Sequence, residues 1–313
     1  MGQSPIIAWE EVKLADFGTA PLMLRHSLAS HPLFAREALA RVIESAGRAD
    51  YYVNTMDLGS HDPRSRREGE MAGLSGEQVL EAVAKGTIWI LLLNPAKANP
   101  AYNELLGAIY EEMHRMVPGF RTRLHKMTLL ISSPKVQVHY HCDIPGQTLW
   151  QVAGTKQVRV YPNRAPFLNQ AALERIALGE VHEFGLPYDP AFESEAKVFE
   201  LTPGHMLHWP LNAPHRIVNG DCVNVSFTTE HFTASNRRKF IVNRANGVLR
   251  KRLGERPLSQ DISGPAYWAK FGVAAAHKLL QPAAAKKKLR IDFALDPKAE
   301  RAVRTIPAYE VTP

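Results

Sequence analysis

Hydrophobic and polar positions follow a helical period in parts of the first 122 residues, although not in residues 1–30. Apolar residues recur every three or four positions in three stretches, and two short apolar runs between them predict strands. The predicted helices are 32–46, 75–85 and 99–116, and the predicted strands are 51–53 and 87–93. Residues 58–73 have no period and are rich in polar residues and arginine, which predicts a long exposed loop.

The pattern changes between residues 123 and 232, where short runs of Val, Thr, Leu and aromatic residues alternate with turn residues. A helical pattern at 166–178 interrupts these runs. The predicted strands are 124–132, 136–141, 147–153, 156–161, 197–201, 205–209, 214–218 and 222–229. Eight short, closely spaced strands are typical of a β-sandwich or barrel.

The last part of the chain returns to a helical pattern. Helices are predicted at 236–253 and 264–280, and residues 281–313 are rich in Ala, Lys and Pro, which predicts a loosely held tail. We therefore predict a mostly β protein with flanking helices, divided into an N-terminal region (1–122), a β core (123–232) and a basic helical region (233–313).

The composition restricts the classes of protein to which the chain can belong. Hydrophobic residues make up 45% of the 313 positions, enough for a sizeable core. No apolar run reaches the roughly 20 residues that a membrane helix needs. The N-terminus does not resemble a secretion signal, and two cysteines do not make a disulfide framework. These features predict a cytoplasmic protein with no membrane contact.

Positive charge is concentrated at the C-terminal end. The net charge is +7, and residues 235–313 carry 17 Lys or Arg against 6 Asp or Glu. A basic region can bind nucleic acid, but nothing in it resembles a helix-turn-helix, a zinc finger or an aromatic nucleic-acid platform. The pattern favours solvated helical faces, and we do not expect nucleic acid as a partner.

The first candidate for chemistry is the sequence His141-Cys142-Asp143 on a predicted strand. Side chains alternate along a strand, so His141 and Asp143 share one face and Cys142 lies on the other. Two histidines and one carboxylate, with positions left open, suit non-haem Fe(II), and His215 is the candidate for the third ligand. Since about one His-x-Asp is expected by chance in a chain this long, the motif depends on its context.

That context is a second motif. Gly204, Pro210, Asn212, His215 and Asn219 are spaced as G-x5-P-x-N-x2-H-x3-N. This resembles the second motif of the cupin superfamily, in which Gly is usual at the position of Asn212. Asn tolerates a positive φ better than most residues, so the turn remains feasible.

A lysine completes the set. Lys156 follows a turn at Gly154 and lies fifteen residues after His141. Together with both motifs it resembles the Jumonji-C or cupin-8-like branch of the Fe(II)/2-oxoglutarate-dependent dioxygenases, over about residues 128–232. The resemblance implies a double-stranded β-helix (jelly-roll or cupin) core with N- and C-terminal helices.

The resemblance also implies roles for these residues. His141, Asp143 and His215 would hold Fe(II), and Lys156 would pair with the distal carboxylate of 2-oxoglutarate. The activity would be that of a hydroxylase of a protein side chain or a small molecule, with O2 and 2-oxoglutarate converted to succinate and CO2. Relatives also suggest a homodimer formed through the C-terminal helices. A buried dianion needs a paired cation, which Lys156 would supply.

Other positions match the residues that contact the cosubstrate in the family only in part. Gln147 falls where some relatives have an Asn that contacts the cosubstrate, whereas Val138 replaces a usual Thr or Ser hydroxyl and cannot donate. Tyr140 or Thr128 are the candidates to supply that hydroxyl. Asn224 is a further candidate for the cosubstrate site. Candidates for the substrate-binding rim are Ser226, Arg164, Trp150 and His139.

Three alternatives remain open from the sequence. His139, His141 and His215 could form an all-histidine cupin site. The loss of a hydroxyl at Val138 would suit a cupin-like binding protein without catalytic activity. The basic C-terminal region would suit a DNA-associated regulator.

Overall fold

The computed structural model describes residues 5–7, 9–60, 62–254, 256–280 and 288–312. In these residues the strands are β1 (Ile6–Ile7), β2 (Leu22–His26), β3 (Tyr51–Thr55), β4 (Arg67–Glu70), β5 (Ile88–Leu92), β6 (Arg123–Ser132), β7 (Gln137–His141), β8 (Gly146–Ala153), β9 (Lys156–Val160), β10 (Lys197–Leu201), β11 (His205–His208), β12 (His215–Asn219), β13 (Asn224–Phe232), β14 (Leu289–Leu295) and β15 (Val303–Val311). The α-helices are α1 (Arg36–Ser45), α2 (Gly76–Lys85), α3 (Ala101–Met116), α4 (Gln170–Ala177), α5 (Ala234–Leu253) and α6 (Gly264–Leu280).

The eight strands β6 to β13 form a double-stranded β-helix. They are divided between two sheets, with β11-β8-β13-β6 as neighbours in the larger sheet and β10-β9-β12-β7 in the smaller, and successive strands change sheet except between β9 and β10. All eight agree with the predicted strands to within a few residues. The expected jelly-roll fold is therefore confirmed by the order of the strands.

Apolar side chains of both sheets pack between them. Leu130 and Leu149 come from the larger sheet, and Val138, Val158 and Ile217 from the smaller. On the outer face of the larger sheet a second, larger cluster joins the sheet to α1, α2 and α3. The helical stripes of the N-terminal region therefore form because each helix buries one face on this sheet. Ser75 caps the N-terminus of α2 and forms a capping box with Gln78.

The larger sheet continues beyond the core. Strands β5, β3 and β4 extend it from β6, and β14 then pairs with β4 in parallel. The predicted loop at 58–73 is thus wrong for residues 67–70, and the expected loose tail is wrong for residues 289–311. Phe293 is fully buried against Gly69, where a Cβ would come within 2.4 Å of the Phe293 ring. Strand β4 has no local apolar pattern, whereas Leu289, Ile291, Phe293 and Leu295 of β14 do alternate, a strand signal that was missed in the Ala-, Lys- and Pro-rich tail.

A buried ion pair fixes the helices that follow the core. Arg250 on α5 donates from Nε to Glu174 Oε2 of α4 at 2.7 Å and from Nη2 to Oε1 at 3.1 Å. Helix α6 packs along α5.

The division of the chain at residues 122 and 232 stays a prediction. No helix in the described ranges is both long and apolar enough to cross a membrane.

Candidate metal centre

Two neighbouring strands of the smaller sheet deliver the three candidate ligands. His141 ends β7, Asp143 follows two residues later, and His215 begins β12 directly opposite His141. The register between these strands shifts, so that Ile217 faces Val138 rather than His139. This bulge in β7 lets Val138 and His141, three residues apart, both face the space between the sheets.

The three side chains converge on one point. Nε2 of His141 lies 3.8 Å from Oδ1 of Asp143, and Nε2 of His215 lies 3.4 Å from Oδ2. One potential ligand atom from each residue falls within 4.8 Å of the other two, and all three residues are buried. The structure therefore brings together the three residues that the sequence singled out as candidate ligands.

Hydrogen bonds fix the tautomer of both histidines. Nδ1 of His141 lies 2.8 Å from the backbone oxygen of His139, and Nδ1 of His215 lies 3.0 Å from that of Ala213. Because a carbonyl only accepts, each Nδ1 carries the proton and donates. Each Nε2 is left with a free lone pair directed at Asp143, the arrangement typical of metal-binding histidines.

The electrostatics of the cluster fit a cation. Burial raises the pKa of Asp143 well above its usual value, and the nearby Glu183 adds to this effect. Burial also lowers the pKa of His141 well below its usual value and that of His215 to about 4. Oδ2 of Asp143 is buried and has no hydrogen-bond partner in the described part of the chain. Two neutral imidazoles and one unpaired carboxylate oxygen fit a divalent metal, and the set suits Fe(II).

The cluster opens on a cavity of about 710 Å³ between the two sheets. All three ligands line it, together with apolar side chains such as Leu149 and Ile217. Leu130 forms part of its wall on the larger sheet. The cavity therefore has room for small molecules beside the ligands.

Lys156 lies on β9, on the same sheet as the three ligands, and is buried. It donates from Nζ to Oγ of Ser226 at 2.9 Å, and Ser226 lies opposite Leu130 of the cavity wall. Burial lowers the pKa of Lys156 to about 7. One hydroxyl is a weak partner for a group with three donors, so the site suits an added anion. The sequence placed Ser226 at the rim, whereas the structure places it beside this lysine.

Two of the candidate cosubstrate residues line the cavity. Thr128 is buried, and its hydroxyl has no hydrogen-bond partner among the residues that the structure describes. Gln147 lines the cavity beside Glu230, its neighbour across the strands. Thr128 is therefore the residue placed to replace the hydroxyl missing at Val138.

Two other candidates are turned away from the cavity. The hydroxyl of Tyr140 donates to the backbone oxygen of Phe167 at 2.7 Å, in an apolar cluster that includes Cys142. Oδ1 of Asn224 accepts from Gln151, and its Nδ2 donates to the backbone oxygen of Cys222. Tyr140 is not placed to supply the hydroxyl, and the side chain of Asn224 is occupied by structural bonds.

The residues assigned to the rim are dispersed. Trp150 is fully buried against Phe227, and its indole donates to Thr229. Arg164 is exposed, with its guanidinium over the ring of Phe167. Neither lines the cavity, because Trp150 belongs to the cluster on the outer face of the larger sheet and Arg164 lies in the loop that follows β9.

His139 does line the cavity, although it is not in the ligand group. Its Nε2 lies 3.1 Å from the backbone oxygen of Ser60, which fixes the segment before β4 to β7. The ligand group contains Asp143 instead of His139. The geometry therefore favours two histidines and a carboxylate over three histidines.

Several cavity residues were not identified from the sequence. Phe184 lies 4.7 Å from the ring of His141, and the guanidinium of Arg66 lies over Phe184 at 4.8 Å. Glu183 and Glu230 face the cavity, and burial raises the pKa of Glu183 to about 7. These residues belong to irregular segments or strand ends, where no periodicity indicates which way a side chain points.

No protein-family model matches the chain, and no curated protein matches it. Among solved structures, the chain is similar to YcfD, a ribosomal oxygenase from Escherichia coli. One YcfD structure is 19% identical over 90% of this chain and 70% of that chain, with a TM-score of 0.49. A structure of YcfD in complex with cobalt and 2-oxoglutarate is 18% identical over 90% and 69%, with a TM-score of 0.49.

Proposed function

We propose that the protein is an Fe(II)- and 2-oxoglutarate-dependent oxygenase that hydroxylates a protein side chain or a small molecule. The observation that carries the proposal is the combination of His141, Asp143 and His215 with a buried lysine in one β-helix core. Iron bound by such a set supplies the activation of O2, coupled to the conversion of 2-oxoglutarate to succinate and CO2.

Charge balance supports 2-oxoglutarate as the cosubstrate. Two neutral imidazoles and one carboxylate leave Fe(II) with a single net positive charge. The Lys156 ammonium adds a second positive charge beside the Ser226 hydroxyl. A dianionic diacid neutralises both charges, and burial makes that neutralisation favourable. Thr128 adds a hydroxyl without a partner among the described residues.

Other cavity residues exclude water and hold the substrate beside the iron. Phe184 covers one side of His141, and Trp209 covers His215 with ring centroids 4.4 Å apart. The aromatic walls keep the ligand region dry, which strengthens the electrostatic interactions inside it. The alternative is a binding protein without catalytic activity, which the lack of a hydroxyl at Val138 suggested. The Thr128 hydroxyl, which has no hydrogen-bond partner among the described residues, can supply that donor.

Release of succinate tests the function. The purified protein, supplied with Fe(II), ascorbate and 2-oxoglutarate in air, should form succinate slowly even without its substrate, and His215→Ala should form none. His205→Ala is the matched control, because His205 bonds to Thr202 and does not line the cavity. Succinate formation at the wild-type rate by His215→Ala, or none by the wild-type protein, would refute the assignment.

We also propose that the protein is a homodimer formed through the C-terminal helices. On α6, Trp268 is 62% exposed and Phe271 is 42% exposed, and residues three apart share one helix face. Exposed aromatic pairs of this kind are typical of association surfaces.

If the protein dimerises through this face of α6, a charge placed there should disrupt the dimer. Trp268→Asp should convert the dimer to a monomer, since a carboxylate would be buried without a partner. Sedimentation at micromolar concentration measures this, and Leu124→Asp, which changes an equally exposed apolar residue on β6, should remain a dimer. A wild-type monomer under these conditions would exclude the dimer.

A further inference from the structure

The turn between β11 and β12 contacts the metal ligands from both sides. Asn212 lies in this turn with φ of 59°, the left-handed conformation that Asn tolerates. It is buried, and its Nδ2 donates to the backbone oxygen of Asp143 at 2.5 Å. The side chain therefore joins the turn that precedes His215 to the segment that carries Asp143.

The same turn makes two further contacts with the ligands. The ring of Trp209 packs on the ring of His215, with centroids 4.4 Å apart. The backbone oxygen of Ala213 accepts from Nδ1 of His215. One short turn thus contacts the backbone of the carboxylate ligand and the ring of the second histidine.

Asp143 needs such support because β7 ends at His141. Asp143 lies in the irregular segment that follows, outside the hydrogen-bond ladder that fixes its two partner ligands. A carboxylate on irregular backbone can rotate away from the position that a metal requires. Groups that support a ligand in this way typically contribute 10- to 100-fold to metal affinity.

We propose that Asn212 is a positioning residue that holds Asp143 in its metal-binding orientation before the metal arrives. The inference rests on the proposed function, since it assigns Asp143 to the metal. A glycine, usual at this position of the motif, would satisfy the turn conformation but could not donate. The departure from the motif therefore adds an interaction specific to this chain.

Cobalt(II) binding to the apo-protein tests the inference without reference to turnover. Asn212→Gly keeps the positive φ and removes the amide, so the variant should fold with the melting temperature of the wild-type apo-protein. Its Kd for Co(II), measured by calorimetry, should rise about 10-fold or more. The intensity of the Co(II) visible bands, which depends on ligand geometry, should also change.

Two further variants separate the hydrogen bond from other effects. Asn163 donates to the backbone oxygen of Leu211 in the same turn without reaching Asp143, so Asn163→Ala should bind Co(II) with wild-type affinity. Asn212→Asp keeps the shape but cannot donate, so it should bind Co(II) more weakly despite its added negative charge.

The outcomes distinguish this inference from the proposed function. If Asn212→Gly binds Co(II) as tightly as the wild type, or Asn163→Ala loses as much affinity, the positioning role is overturned while the function stands. If the wild-type apo-protein does not bind Co(II), both are overturned.

Discussion

Replacing His215 with Ala is expected to lower the affinity for Fe(II) or Co(II) by more than about 100-fold, the upper limit for losing a supporting contact alone. The change removes one of three ligands and leaves His141 and Asp143, which cannot enclose a metal on three sides. Calorimetry under argon measures the loss directly. Because His215 is buried in its neutral form and its hydrogen bond goes to the backbone oxygen of Ala213 in the adjoining turn, the apo-variant should remain folded.

The matched control for this experiment is His205→Ala. His205 is also a histidine at the end of a core strand, but it bonds to Thr202 and is not among the ligands. Wild-type affinity is expected for this variant. Retention of tight binding by His215→Ala, within about threefold of the wild type, would show that the metal site lies elsewhere.

Replacing Lys156 with Met is expected to weaken 2-oxoglutarate binding by roughly 10- to 150-fold, while Co(II) affinity stays unchanged. A hydrogen bond to a charged group contributes about 1.5–3 kcal/mol, which corresponds to that range of Kd. Met has nearly the length of Lys but no charge, so the cavity should keep its shape. Anaerobic titration of the Co(II)-loaded protein with 2-oxoglutarate measures the change.

The pH dependence of this binding identifies the lysine itself. Burial lowers the pKa of Lys156 to about 7. Above pH 7 the free wild-type protein loses the ammonium that pairs with the carboxylate, so its Kd for 2-oxoglutarate should rise with pH. The Met variant should show no such rise between pH 7 and 9, and equal slopes in both proteins would contradict the role of Lys156.

The pH dependence of the free energy of unfolding gives an independent test of the lowered pKa of Lys156. Between pH 7 and the ordinary lysine pKa of 10.5, the unfolded chain binds a proton that the folded chain does not. The free energy of unfolding of the wild-type apo-protein should therefore rise with pH across this window. Lys156→Met should lack this contribution and be more stable than the wild type at pH 7, because it buries no charge.

Local sequence patterns were sufficient to predict the core. Most strands of the β-helix carry a local run of apolar residues, and the His-x-Asp spacing singled out His141 and Asp143, although β7 ends at His141 and Asp143 follows on irregular backbone. The motif around His215 added the third ligand because its turn residues are fixed in spacing. Lys156 could be identified because it is a charged residue in an otherwise apolar strand pattern.

Features that depend on distant partners were not predictable. The bulge in β7 lets Val138 and His141 both face the cavity although they are three residues apart, and no residue in that strand signals an extra position. Strands β4 and β14 pair across more than 220 residues, and β4 is polar throughout, so its place in the sheet depends on that distant partner. Arg66 and Glu183 reach the cavity from irregular backbone, whose direction is set by tertiary contacts.

The most direct test of the central claim is anaerobic absorption spectroscopy of the apo-protein with Fe(II) and 2-oxoglutarate. A chelate of both at one iron gives a weak visible charge-transfer band that neither gives alone. The band should appear when both are present, should be absent with His215→Ala, and should require much more 2-oxoglutarate with Lys156→Ala. No band at saturating concentrations of both would mean that the cluster is not a 2-oxoglutarate site, and the function proposed above would be wrong.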